Sequence, residues 1–148
     1  MANSVDAFPY ASYNNDVWNS HNPDALTRYF APDARVHSMR PGHIAGAGLD
    51  YLKVRAQALL SAFPDIKFVV EDVIQQDERV AARVTLEGTH RGEFAGIPAT
   101  GKRMKVYDFA TYRVVEGKIT DVWSLIDMQA LREQLEALNS SSQPGHFR

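Results

Sequence analysis

The apolar residues change period partway along the chain: up to Phe63 they recur every three or four positions, and from Ile66 they tend to alternate with polar ones. Tyr10, Tyr13, Val17 and Trp18 follow Pro9 at helical spacing, which predicts a first helix with one aromatic face, ending near Ser20. Asn22-Pro23-Asp24 supplies an N-cap, a proline at the first helical position and a first-turn acid. A short helix is therefore expected through Leu26, Tyr29 and Phe30, stopped at Pro32-Asp33. A short strand is expected from Ala34 to Met39, and Arg40-Pro41-Gly42-His43 with Ala45-Gly46-Ala47-Gly48 then reads as a glycine-marked loop. Leu49, Leu52, Ala56, Leu59, Leu60 and Phe63 mark a third helix that Pro64-Asp65 ends.

Strands are expected at Ile66 to Ile74, Val80 to His90, Met104 to Val115 and Ile119 to Ile126, with turns at Gln76-Asp77-Glu78 and Glu116-Gly117. Asp127 stands at the N-cap of a closing helix that begins Met128-Gln129-Ala130-Leu131, and residues 139–148 read as a polar, disordered tail. Helices followed by long antiparallel strands predict a single α+β domain over residues 1–138. Its curved antiparallel sheet would wrap as a cone around the N-terminal helices. The inside of such a cone is an apolar concavity suited to a small molecule.

Composition narrows the function classes. With 148 residues, 45% hydrophobic and 23% charged, the chain fits one domain with a real core. A net charge of −2, with no clustering of Lys and Arg among aromatics, argues against nucleic acid as a partner. The absence of cysteine excludes disulfides, thiol nucleophiles and cysteine-bound zinc, and the five histidines show no His-x-His spacing, so no metal site is expected. No apolar run approaches the ~20 residues of a membrane span and no positively charged apolar leader is visible, which makes a soluble, cytoplasmic protein the expectation.

The motifs Phe63-Pro64-Asp65, Gly88-Thr89-His90-Arg91-Gly92-Glu93-Phe94-Ala95-Gly96-Ile97-Pro98-Ala99-Thr100-Gly101, and Tyr112-Arg113 through Gly117-Lys118-Ile119 to Trp123, Asp127 and Gln134-Leu135 go further. Through them the chain resembles the SnoaL-like polyketide cyclases over residues 10–138, and more distantly the ketosteroid isomerases. The resemblance implies the cone fold, cofactor-free acid/base chemistry on a hydrophobic carbonyl compound, and a homodimer formed through the sheet. Alignment about Gly117 puts the cyclases' catalytic aspartate at Ser124, their pocket histidine at Ala110 and a pocket glutamine at Asp108; the isomerases' base falls on Ser38, next to His37.

His37 and Asp108 are therefore the candidate catalytic groups: an imidazole able to serve as base or acid, and a carboxylate whose burial on an apolar face would raise its pKa. The resemblance assigns Val106, Asp108, Ala110 and Tyr112 to the pocket, joined by Val122, Ser124 and Ile126 if the hairpin register allows. A two-residue Glu116-Gly117 turn pairs Val115 with Lys118 and sets Ala110 opposite Trp123; one further turn residue sets it opposite Ser124, which the pocket residues favour. Tyr13 is read as an enolate donor or a core aromatic, alongside Trp18, Tyr29, Phe30 and Phe63. Asp127 is read as a helix cap, His90 as the organiser of the loop to Gly101, and His43 and Tyr51 as groups at the pocket mouth. Two other functions fit the fold: epoxide hydrolysis, which needs a second inward carboxylate from Asp121 or Asp127, and non-catalytic binding of a small molecule.

Overall fold

The computed structural model describes residues 6–136, so the expected tail at 139–148 lies outside the described residues. The first helix, α1 (Tyr10–Tyr13), continues as a π-helical segment over Asn14–Asn19. Its wider turn brings residues five apart onto one side. Asn14 and Asn19 both reach the Phe68 carbonyl at 3.0 Å, and Trp18 Nε1 donates to Tyr13 Oη at 3.0 Å. Asn19 Oδ1 also accepts the Phe68 N–H at 2.8 Å, and the Trp18 indole stacks on the Phe68 ring. A 3₁₀ turn at Pro23–Ala25 leads into α2 (Leu26–Tyr29).

Six strands form one curved sheet: β1 (Phe30–His37), β2 (Ile44–Ala47), β3 (Lys67–Gln76), β4 (Arg79–Thr89), β5 (Arg103–Val115) and β6 (Lys118–Ile126), in the order β2-β1-β6-β5-β4-β3. All neighbours are antiparallel except β1 and β6, which run parallel. The strand β1 starts at Phe30, earlier than its sequence indicates. Its pairing with β6 breaks between Phe30 and Arg35, and Pro32, with no N–H to donate, falls inside that break. The glycine-marked segment expected as loop contains the edge strand β2. A Cβ on Gly46 would collide with the Tyr51 ring, so glycine there lets strand and side chain share the space.

Both readings of the hairpin register prove half right. Glu116 and Gly117 have φ of 51° and 80°, the two positive values of a two-residue type I′ turn, and Val115 pairs with Lys118. Two residues on, β6 carries a bulge: Val114 faces Ile119 and Arg113 faces Asp121, so Thr120 has no partner. The extra residue that places Ala110 opposite Ser124 thus sits in the strand and not in the turn. Beyond it Val122, Ser124 and Ile126 share the inner face with Asp108, Ala110 and Tyr112, while Asp121, Trp123 and Leu125 face outward.

Helix α3 (Leu49–Ala62) packs with α1 and α2 on the inner face, and the core lies between these helices and the sheet. The Phe63-Pro64-Asp65 motif has a structural basis. Asp65 accepts both the backbone N–H and the hydroxyl of Thr89 at 2.7 Å, tying the end of α3 to the end of β4. His90 is fully buried, with Nδ1 3.0 Å from Thr100 Oγ1 and its backbone N–H on the Lys102 carbonyl, as its loop-ordering reading requires. The closing helix α4 (Met128–Glu136) starts from Asp127, whose Oδ1 accepts the Ala130 N–H at 3.0 Å. Gln134 pairs its side-chain amide with the backbone of Lys105, at 2.7 and 3.0 Å, where β5 runs on past β6.

Candidate functional site

Between the helices and the inner face lies a cavity of about 190 Å³. The first helix and π segment contribute Tyr10, Tyr13 and Trp18; α3 contributes Leu52, Arg55 and Leu59; the sheet contributes Asp108, Tyr112, Val122, Ser124 and Ile126; and Phe94 closes one side. Strand alternation dictates the sheet's share, because Asp108 and Tyr112 on β5 are an even number of residues apart and the Thr120 bulge puts Ser124 in phase with them. Ala110 is buried in the core and does not line the cavity, although its neighbours do.

Among the described residues Asp108 is the one carboxylate lining the cavity. Ser124 Oγ donates to its Oδ1 at 2.8 Å, and Oδ2 has no hydrogen bond to a described residue. Burial raises the pKa of this carboxyl above its ordinary value, opposed by the Ser124 hydrogen bond and, more weakly, by the charge of Arg55. Ser124, onto which the resemblance maps the cyclases' aspartate, thus touches an aspartate from the neighbouring strand.

The phenols form the second polar group of the site. The Tyr10 and Tyr112 hydroxyls lie 2.8 Å apart, and burial raises both pKa values well above that of a free phenol. Burial likewise pushes Tyr13 up to about 12, although the bond from Trp18 acts the other way. All three stay protonated across physiological pH. Because Tyr13 Oη accepts from Trp18, its own proton is available to another acceptor. Tyr10 was marked only as part of the first helix's aromatic face and Arg55 not at all; helical spacing of Arg55 from Leu52 and Leu59 was the available signal.

His37 is not part of this cavity. It points to the outer face, where Nε2 donates to Asp121 Oδ1 at 2.9 Å and the ring stacks on Trp123 at 4.2 Å between centroids. Asp121 also accepts from Arg35 Nε at 3.1 Å and from Thr120 Oγ1 at 2.9 Å. Burial alone would raise the Asp121 pKa, but His37, Thr120 and Arg35 outweigh it and the carboxyl titrates below its ordinary value. His37 and Asp108 thus face opposite sides of the sheet. His43 lines an open outer cleft beside His37, and Tyr51 packs against Gly46; neither lines the cavity. With Asp121 outside and Asp127 capping α4, paired inward carboxylates for epoxide opening are absent among the described residues. The described residues also contain no cluster of three acidic or histidine side chains able to hold a metal ion.

The outer face carries a wider, open groove of about 390 Å³. Ile74, Phe109 and Leu125, which line it, are 69, 53 and 56% exposed. Its Asp72 and Arg83 are paired with each other. No helix among the described residues is long and apolar enough to cross a membrane.

An unclosed curved sheet over helices, with a polar group at the wall of an enclosed apolar cavity, defines an α+β cone of the small-molecule-binding class. The chain belongs to the SnoaL-like polyketide cyclase family, whose profile matches residues 10–135. Among solved structures it is similar to a SnoaL-like polyketide cyclase from Agrobacterium tumefaciens, at 26% identity and TM-score 0.71 over 85% of this chain and 94% of that one. AclR from Streptomyces galilaeus, a candidate hydroxylase, is 29% identical with TM-score 0.70, over 87% and 90% of the two chains. TsrD from Streptomyces laurentii, at 22% identity and TM-score 0.77 over 87% and 92%, shares the fold. A search of curated proteins gave no significant match.

Proposed function

We propose that the protein is a cyclase or isomerase that uses Asp108 as general base on an enolisable, hydrophobic carbonyl compound. The observation that carries this reading is the Asp108–Ser124 contact: a desolvated carboxylate, bonded on one oxygen and free on the other, at the wall of an aromatic cavity. Asp108 Oδ2 takes the proton α to a carbonyl, and the C–H electron pair passes to the carbonyl oxygen as an enolate. Neutral tyrosine hydroxyls from Tyr10, Tyr13 or Tyr112 stabilise that oxygen. The nucleophilic carbon then bonds to a second carbonyl of the same molecule, whose oxygen receives the proton. Val122 and Ile126 give the substrate an apolar seat, and the chemistry draws on side chains alone.

Two copies would associate through the outer face, whose apolar groove is too exposed to be explained by the monomer's core. Solvent deuterium exchange into enolisable polycyclic ketones, compared between wild type and Asp108→Asn, tests the reading. Exchange lost in the variant supports it, and equal exchange in both removes Asp108 as the base. A ligand held tightly and released unchanged by wild type would point instead to the non-catalytic alternative.

A further inference from the structure

The cavity-facing stripe of α3 contains one residue of the wrong polarity for its place. Leu52, Arg55 and Leu59 stand at i, i+3 and i+7 and all three line the cavity, while Ala56 and Leu60 are buried in the core. Arg55 is exposed, so its guanidinium sits at the cavity rim. It forms no ion pair or hydrogen bond with a described residue. Its charge nonetheless favours the ionised forms of Asp108 and Tyr13, with no hydrogen bond to either. A guanidinium offers a planar fork of donors that matches a carboxylate on two bonds at once, and the protein supplies no such acceptor here.

We infer that Arg55 determines specificity by pairing with a carboxylate on the ligand, so that the preferred substrate is an aromatic keto acid and not its neutral ester. This rests on the reading of the cavity as the substrate site with Asp108 as base. The acid group lies at the rim, the ring system fits against Trp18, Phe30 and Phe94, and the enolisable carbon is carried inward to Asp108. Arg55 favours the ionised form of Asp108. A ligand carboxylate that neutralises Arg55 removes this influence, and the base then has the higher proton affinity that abstraction from carbon needs.

The test uses two unreactive probes, 2-naphthoate and methyl 2-naphthoate, titrated by calorimetry at pH 7.5 into wild type, Arg55→Gln, Arg55→Lys and Asp108→Asn. Wild type is expected to bind the acid about tenfold or more tightly than the ester, the value of one good charge-assisted contact. Arg55→Gln loses that preference with ester binding unchanged, Arg55→Lys keeps part of it, and Asp108→Asn keeps it fully. Equal affinity for acid and ester in wild type, binding of neither, or equal weakening of both by Arg55→Gln overturns the inference. So does loss of the preference in Asp108→Asn, which would assign recognition of the acid to Asp108 instead of Arg55. Failure of the catalytic reading is separate: the acid preference would stand while deuterium exchange is indifferent to Asp108.

Discussion

At Asp108 two influences oppose each other: burial favours the proton, and the Ser124 hydroxyl favours the charge. Removing the hydroxyl leaves burial the stronger. Ser124→Ala is expected to move the acid limb of the pH–rate profile to higher pH, and Asp108→Asn to lower turnover by about 10²-fold or more. The same raised pKa has a stability consequence. A carboxyl that binds its proton more tightly folded than unfolded carries no penalty below the unfolded value of 3.8, and destabilises the fold as pH rises through the higher folded value. Asp108→Asn should therefore melt at a higher temperature than wild type at neutral pH, with the gap closing toward pH 3; a melting series across that range measures it. The inward direction of Asp108 was legible because alternation puts Val106, Asp108, Ala110 and Tyr112 on one face and the resemblance assigns that face to the pocket. His37 was not, because standing next to Ser38, where the isomerases' base falls, says nothing about facing: a neighbouring residue in a strand looks the other way. Trp18 falls on the aromatic face that helical spacing predicts, but the π-helical turn that carries it has no mark in the sequence.

Among the elements, the π segment has a task that a regular helix would perform less well. It presents two asparagines to the outer edge of β3, and Asn19 satisfies both the N–H and the carbonyl of Phe68. Asn19→Ala leaves that buried N–H without its partner and is expected to cost about 1–3 kcal/mol in chemical denaturation. Asp127→Ala, which removes the α4 cap, should cost about 1 kcal/mol by the same measurement. The four long strands were readable from alternation and the start of α4 from its Asp127 cap, whereas Asn22 makes no capping bond and Pro23 alone marks the start of its turn. The bulge at Thr120 was not, because an unpaired residue inside a strand leaves no local mark. Only the demands of the pocket face pointed to the register it creates. The parallel pairing of β1 with β6 and the edge strand β2 were hidden for a related reason, since both depend on contacts between segments distant in sequence.

For the whole molecule, the sheet separates two surfaces of different character. The inner face encloses the cavity, and the outer face exposes Phe109 and Leu125 beside a groove. If that groove joins two copies, Phe109→Asp with Leu125→Asp is expected to yield a monomer with an unchanged far-ultraviolet circular dichroism spectrum, and light scattering gives the mass. A double variant that remains dimeric would assign the interface elsewhere. Curvature and the inner concavity were inferable from helices preceding a long meander, whereas the depth of the cavity depends on how the aromatic rings interlock. The two tryptophans divide along the same boundary, Trp18 against the cavity and Trp123 beneath His37 on the far side. Each face consequently carries its own intrinsic fluorophore: replacing either indole by phenylalanine leaves an emission signal that reports on the cavity alone or on the outer face alone, with no added label.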